Sequence, residues 1–156
     1  MPNQQSLTPP PRCDGDDDVT DASQSGMGSD ARTSREAFVA EAVFARHLLR
    51  QRRRREAILG KNMFSEPAWD MLLDLFAAEV EGRRISKSSL VIAAAVPQST
   101  ALRWMSDMVN EGQLVRYPDT SDGRRTFISL TERSFRDIAL LLRDWVTEVG
   151  TLIATL

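Results

Sequence analysis

The chain has little of the side-chain chemistry that enzymes and metal sites use. It contains one cysteine and one histidine among 156 residues. A single cysteine excludes an intramolecular disulfide, and Cys13 has no resolving cysteine or neighbouring base, so an inert thiol is favoured over a redox switch. His47 has no partner at ligand spacing, which favours an ordinary packing or surface residue over a metal ligand. Without a glycine-rich phosphate loop or an assembled acid, base and nucleophile, we expect neither an enzyme nor a cofactor.

Long apolar runs are also missing. No stretch approaches the roughly 18 consecutive apolar residues of a membrane span. The N-terminus has no basic segment followed by an apolar one, as a signal peptide has. We therefore expect a cytoplasmic, nucleoid-associated protein with no membrane partner. A hydrophobic content of 42% over this length is enough for the core of one domain with a tail.

Charge is distributed unevenly along the chain. The net charge is -2, but residues 1–34 carry two arginines against six aspartates, which leaves an excess of two positive charges in the remainder. Between residues 82 and 125, seven basic residues face four acidic ones. The basic residues are Arg83, Arg84, Lys87, Arg103, Arg116, Arg124 and Arg125. Such a concentration of positive charge favours a nucleic-acid partner.

The first 34 residues are rich in proline, serine, glycine and aspartate and have almost no large apolar side chains. Folding them could not offset the entropy lost, so residues 1–34 are predicted to be a disordered acidic tail. A solubilising extension is favoured over a DNA mimic that competes for the basic surface.

Two long helices are expected at the ends of the remaining chain. Over 35–60, apolar residues occupy most of the helix circumference; over 132–156, an apolar stripe runs to the chain end after Thr131 as the N-cap. A small domain cannot cover both helices. A two-fold homodimer that buries them is therefore favoured over a monomer in which they pack only on each other.

The run Arg52 to Arg55 continues the first helix. Successive residues are about 100° apart, so these four charges do not form one focused site. A solvated helix end is favoured over a patch for phosphates or for an acidic partner.

The middle of the chain, 64–131, has the pattern of a helix-turn-helix followed by a β-hairpin. Ser65 is a candidate cap for a helix that starts at Pro67 and ends at Gly82. A short helix capped by Ser86 then runs to Ala95. The turn Val96-Pro97 follows, and a second helix is expected over 98–111.

The hairpin follows directly. Strands are expected over 114–117 and 126–130, with a turn at Asp122-Gly123, and Ile85 is expected to pair briefly with this hairpin. The expected fold class is mainly α with a small β-hairpin wing: a winged helix-turn-helix domain flanked by long N- and C-terminal dimerisation helices.

The second helix has a polar arc centred near Arg103, while Trp104 is expected on the core side. The first turns of a recognition helix reach base edges, and exposed arginines of a wing reach the sugar-phosphate backbone or a narrow minor groove. A plain solvated helix face and a generic charged hairpin would show a similar pattern. The candidate DNA-binding residues are Ser86, Lys87, Gln98, Ser99, Thr100, Arg103, Arg116, Arg124 and Arg125.

Four motifs resemble the winged helix-turn-helix of MarR-family transcriptional regulators, over about residues 64–135. They are the runs Pro97 to Met105, Asn110 to Arg116 and Asp119 to Arg125, and the tripeptide Leu130-Thr131-Glu132. The wing of that family usually reads Asp-x-Arg-Asp-x-Arg, and Ser121 replaces its middle arginine here, which removes the usual bracing ion pair. The family glycine after Leu-Thr-Glu is also missing, with Ser134 near that place. The resemblance implies a homodimer built from the first and last helices, often regulated by a small-molecule effector.

The sequence therefore predicts a bacterial-type, sequence-specific regulator that binds double-stranded DNA as a homodimer, with helix 98–111 in the major groove and wing 116–126 on the backbone or minor groove. The alternative is a winged-helix protein-interaction module without DNA binding, motivated by the acidic helix around Asp70 and Asp74 and by the modest net charge. A ligand pocket between the terminal helices and the middle domain would lie near Phe44, Trp69 or Trp145, although core packing explains these aromatic residues equally well.

Overall fold

A computed structural model describes Arg35, residues 37–60 and residues 64–156. The acidic tail and Cys13 lie outside the described residues. In chain order, the elements are α1 (Val39–Leu59), α2 (Pro67–Val80), β1 (Ile85–Ser86), α3 (Lys87–Ala93), α4 (Gln98–Asn110), β2 (Leu114–Pro118), β3 (Thr126–Leu130) and α5 (Glu132–Ala154). The expected fold class, mainly α with a small β wing, is confirmed.

Local capping signals set where α3 and α5 begin. Ser86 Oγ accepts a hydrogen bond from the Ser89 amide at 3.2 Å, and Thr131 Oγ1 accepts one from the Ser134 amide at 3.3 Å. Each hydroxyl satisfies an amide that has no partner within its helix. Both caps were expected from the sequence.

The expected cap on α2 was wrong. Pro67 occupies the first turn, so Glu66 is the N-cap residue and Ser65 lies one position too early to cap the helix. Proline needs no amide partner at this position, and no side chain caps this end.

The three strands form an antiparallel sheet in the order β1-β3-β2. Ile85 pairs with Ile128, which confirms the brief pairing expected of Ile85. Leu114 pairs with Leu130 at the other end of the hairpin. Because side chains alternate along a strand, these four apolar residues share the face that packs on the helices.

Helix α2 lies at the centre of the core. Phe76 is fully buried, and its ring lies 4.9 Å from that of Phe135 on α5. The Phe38 ring, just before α1, meets the Phe135 ring edge-on at 5.5 Å. Glu79 joins α2 to the sheet, because its Oε1 accepts the Leu130 amide at 2.7 Å. Burial raises the pKa of Glu79 above the ordinary carboxyl value.

The terminal helices retain exposed apolar side chains after packing on their own chain. Helix α1 packs on α2 through buried Ala42, Ala45 and Leu49, and on α5 as well. Its opposite side and the outer side of α5 are not covered. The exposed apolar residues on these two helices include Val39, Val43, Leu140, Val149, Leu152 and Ile153.

Candidate nucleic-acid interface

Helices α3 and α4 are joined by a tight turn at residues 94–97. Ala94 is fully buried, whereas Ala95 has a positive φ of 53°, which is unusual for a residue with a side chain. Pro97 then precedes the first residue of α4. The turn thereby fixes the direction in which α4 leaves α3.

One side of α4 anchors the helix and the other faces solvent. Ala101, Met105 and Met108 are buried against the core. The expectation that Trp104 lies on the core side was wrong, because its side chain is 39% exposed. Trp104 is about 100° from Met105 around the helix, and this rotation takes the indole to the edge of the buried face.

The polar residues at the start of α4 are exposed. Gln98, Ser99 and Thr100 all face solvent. The Arg103 side chain is 81% exposed, and its Nε lies 3.9 Å from Asp107 Oδ2, one helical turn further on. An ion pair this exposed is screened by water and contributes little. The guanidinium of Arg103 is therefore free to exchange this partner for another hydrogen-bond acceptor.

Lys87 and Gln98 are brought together by the turn. Both line a cleft of about 330 Å³ between α3 and α4, with Ser88, Val91, Ile92 and Leu102. Lys87 is exposed as the first residue of α3. Two candidate residues that are eleven positions apart in sequence thus share one surface.

Ser86 differs from the other candidate residues because its side chain is only 8% exposed. Its Oγ caps α3 and lies 3.0 Å and 2.9 Å from the hydroxyls of Ser88 and Ser89. The expectation that Ser86 offers its hydroxyl to DNA does not fit this burial. A serine at a helix start has the sequence features of both a cap and a surface contact, and pairing of β1 with β3 places Ser86 where its hydroxyl caps the helix.

The wing is shaped by hydrogen bonds from two aspartates. The Arg125 amide donates to the Asp122 carbonyl at 2.9 Å, and the Arg124 amide donates to Asp122 Oδ1 at 3.1 Å. Asp119 Oδ1 accepts from the Ser121 amide at 3.0 Å and from the Ser121 hydroxyl at 2.7 Å. These two bonds lower the pKa of Asp119 below its ordinary value. Ser121 therefore braces the wing by hydrogen bonding, where the resembled family uses an ion pair.

Arg84 is a basic residue of this surface that the list of candidates from sequence omitted. Its guanidinium carbon lies 3.8 Å from the centre of the Phe127 ring and 5.4 Å from that of Tyr117. The guanidinium of Arg125 lies 5.5 Å from the Phe127 ring, so both cations share one aromatic support. Ser86 pairs with Phe127, and strand alternation places Arg84 on that same face. The two-residue spacing between Arg84 and Ser86 is therefore the sequence feature that could have identified Arg84 as part of this surface.

The remaining arginines of the wing are exposed. Arg124 lies at the tip, next to the Asp122 turn. Arg116 pairs with Ile128, which puts it on the core-facing side of the sheet, two residues nearer the tip than Leu114. The wing thus carries cations at its tip and on both faces.

The aromatic residues considered for a ligand pocket are divided by the structure. Trp69 borders a cleft of about 380 Å³ between α1 and α2, and its ring meets that of Trp145 at 5.9 Å. Phe44 is half-buried and does not line this cleft.

Within the described ranges, no three His, Cys, Asp or Glu side chains are grouped so that they could hold a metal ion. In that same part of the chain, no helix has the length and apolar character needed to traverse a lipid bilayer.

No protein-family model and no curated protein matches this chain. Solved structures do match it. MepR of S. aureus in its DNA-binding conformation is 17% identical, with 73% of this chain and 82% of MepR covered and a TM-score of 0.48. FabT of Streptococcus pneumoniae in complex with DNA is 14% identical, with 73% and 76% covered and a TM-score of 0.48. The adhesin competence repressor AdcR of Streptococcus pyogenes is 21% identical, with 55% and 61% covered and a TM-score of 0.42.

These identities and TM-scores concern the outline of the fold alone. MepR was solved in a DNA-binding conformation, FabT was solved in complex with DNA, and AdcR is named a repressor. The solved structures that this chain resembles are winged-helix proteins of the MarR family, the same family that its sequence motifs resemble.

Proposed function

We propose that this protein is a transcriptional regulator that binds double-stranded DNA sequence-specifically as a homodimer. The observation that carries this proposal is the exposed start of α4, where Gln98, Ser99, Thr100 and Arg103 face solvent on a helix anchored by its other side. Such a helix can enter a major groove without rearrangement of the core. This role places the protein in the cytoplasm, at the nucleoid.

The residues of α4 have the chemistry needed to distinguish bases. Glutamine can form two hydrogen bonds with adenine, and arginine can form two with guanine O6 and N7. The hydroxyls of Ser99 and Thr100 can bond to bases or to phosphate. We therefore assign sequence choice mainly to Gln98 and Arg103.

The wing and the start of α3 supply contacts that do not depend on sequence. Arg124 at the tip reaches the backbone or the minor groove, and Arg116, Arg125 and Lys87 add positive charge around it. Arg84 joins this group because its guanidinium is held on the Phe127 ring beside Arg125. Ser86 contributes only by capping α3.

The homodimer uses residues 35–60 and 132–156 as its interface, and residues 64–131 as the DNA-binding domain. Support comes from the exposed apolar side chains on α1 and α5, such as Val43, Leu152 and Ile153. A second copy related by a two-fold axis would remove them from water. It would also place two copies of α4 about 34 Å apart, one turn of DNA.

A small-molecule effector is part of what the resemblance implies. The cleft beside Trp69 offers a place for one at the junction of α1 and α2. Binding there would act on the helix that joins the dimer interface to the core.

Selection of bound duplexes from a random DNA pool tests the proposal. With the full chain, we expect an inverted repeat to be enriched, since a two-fold dimer reads two equivalent half-sites. Arg103→Ala should reduce the enrichment, whereas Arg83→Ala, which removes an exposed arginine that is paired with Glu81, should not. Absence of any enriched sequence with the parent chain would contradict sequence-specific binding. An enriched site without symmetry would contradict the homodimer.

The alternative of an interaction module without DNA binding loses one of the two features that motivated it, the acidic helix. Asp70 forms a buried ion pair with Arg52, and Asp74 forms a partly buried one with Arg46. These carboxylates are used within the fold and do not form an acidic docking surface.

A further inference from the structure

We infer that α1 carries a second group of DNA-phosphate contacts, formed by Arg50, Arg53 and Arg54. These three residues are called the α1 arc below. The inference rests on the proposed DNA-binding function and extends its footprint beyond α4 and the wing. The sequence had suggested that Arg52 to Arg55 could not form one focused site.

The structure divides the arginines of α1 into two groups. Arg52 is buried, and its guanidinium contacts Asp70 and Glu56. The guanidinium of Arg55 lies 4.6 Å from the centre of the Phe64 ring. Both are therefore engaged within the chain.

The arginines of the α1 arc are exposed instead. At 100° per residue, positions 50, 53 and 54 lie within an arc of about 100° on the side of α1 opposite Arg52. Three positive charges thus share one solvent-facing side of the helix, which a simple reading of four consecutive arginines does not suggest.

The α1 arc lies beside the start of α4. Arg53 lines a cleft of about 630 Å³ with Ala95, Val96 and Pro97, the turn that leads directly into α4. Gln98 and Ser99 follow this turn immediately. When α4 enters a major groove, the phosphates that flank the groove pass close to its first turn. Arg53 is therefore placed where a flanking phosphate strand would run, and Arg50 and Arg54 lie on the adjoining exposed side of the same helix.

Charge within the chain does not neutralise the α1 arc. Among the residues that the structure describes, none of its three guanidinium groups forms an ion pair. Glu56 borders the same cleft as Arg53, but its Oε1 is bound by Arg52 Nε and Nη2 at 3.1 Å and 3.0 Å. The side that faces the cleft therefore keeps its positive charge for an external polyanion.

The acidic tail is the competing polyanion in this chain. It joins the described chain near Arg35, whereas the α1 arc lies 15 to 19 positions further on, about 25 Å along the helix axis. The Ala95–Pro97 turn and Arg53 line the same cleft. Proximity to α4 therefore favours DNA as the occupant.

Salt-dependent binding tests the inference in the full chain, with the enriched duplex as the probe. Arg53→Gln/Arg54→Gln removes two charges from the α1 arc. The control, Arg83→Gln, removes an exposed charge that is paired with Glu81 and lies outside both terminal helices. Circular dichroism and thermal unfolding confirm that both variants fold, and sedimentation at the assay concentration confirms that both keep the oligomeric state of the parent.

Each phosphate contact contributes about 0.9 to the slope of log K against log salt. We therefore expect the α1 variant to lose about 1.8 from that slope. Its affinity deficit relative to the parent should be about tenfold larger at 50 mM than at 200 mM salt. The control should keep the parental slope, and the enriched sequence should be the same for all three proteins.

Two results would overturn the inference. One is an α1 variant with the parental slope. The other concerns the removal of residues 1–34. If this removal raised the DNA affinity of the parent but not that of the α1 variant, the α1 arc would be shown to bind the acidic tail. Failure of the parent itself to bind DNA would instead reject the proposed function, so the two failures are distinguishable.

Discussion

Replacing Arg52 by methionine tests whether a buried ion pair holds α1 onto α2. The Arg52 side chain is 9% exposed and that of Asp70 is 5% exposed. Arg52 Nη1 contacts the Asp70 carboxylate and donates to the Glu66 carbonyl at 3.3 Å. Methionine would leave Asp70 as a charge without a counter-ion in a site nearly closed to water. Asp70 Oδ1 already has no hydrogen-bond partner among the described residues.

The burial of the pair decides the magnitude of the effect. An exposed ion pair contributes about 0–1 kcal/mol, whereas removal of one partner from a buried pair costs about 3–5 kcal/mol. Both side chains are more than nine-tenths covered, so the larger range applies to Arg52→Met. For a domain of this size, we expect a fall in Tm of roughly 10–20 °C. Most of the loss in stability comes from leaving the Asp70 carboxylate buried without a counter-ion, and less comes from removing the Arg52 guanidinium itself.

Urea unfolding followed by circular dichroism, at one fixed protein concentration, measures this cost. The double variant Arg52→Met/Asp70→Leu removes both charges and should recover most of the lost stability. Arg54→Met is the matched control, because Arg54 is exposed two positions along the same helix and should change the free energy of unfolding by less than about 0.5 kcal/mol. A loss below about 1 kcal/mol for Arg52→Met, or a double variant as unstable as the single one, would refute the reasoning.

Three further predictions concern the proposed interface and the core. Arg103→Ala should weaken binding to the enriched duplex by about 1–3 kcal/mol and leave binding to random DNA unaffected, whereas Arg124→Ala should weaken binding to the two DNAs equally. Fluorescence anisotropy titrations with each DNA distinguish the two variants. Equal effects of Arg103→Ala on the two DNAs would contradict its role in base recognition. Arg84→Ala should lower both the affinity for DNA and the slope of log K against log salt. Arg83→Ala removes the same charge one position earlier but should change neither quantity, since Arg83 is paired with Glu81. Because the pKa of Glu79 is raised in the folded state, the contribution of Glu79 to the free energy of unfolding should fall as pH rises above about 4.5. Glu79→Gln should abolish that fall when unfolding is measured across pH. A variant with the same pH profile as the parent would contradict this prediction.

Features governed by a few neighbouring residues could be predicted from the sequence. Ser86 and Thr131 were recognised as caps because a capping hydroxyl bonds to an amide three residues away. The hairpin strands were recognised by their β-branched and aromatic residues and by the Asp122-Gly123 turn. Such signals need no knowledge of the rest of the fold.

Features governed by distant residues could not be predicted in this way. The exposure of Trp104 depends on how far the core extends around α4, and the position of Arg84 depends on Phe127, more than forty residues away. Ser86 has the sequence features of both a cap and a surface contact, and only the packing of β1 buries it. The list of candidate interface residues from sequence was therefore least accurate where the sheet meets the helices.

The arginines of α1 show how one tertiary contact decides the role of several residues. Arg52, Arg53 and Arg54 have the same chemistry, and sequence alone does not say which of them faces the core. Pairing of Asp70 with Arg52, together with the burial of Ala42, Ala45 and Leu49, sets which side of α1 faces the core. Positions 53 and 54 are then exposed to solvent, and Arg53 borders the cleft beside the turn before α4. The buried ion pair thus places the exposed charges, so a variant that lets α1 rotate should lose stability and the salt dependence of DNA binding together.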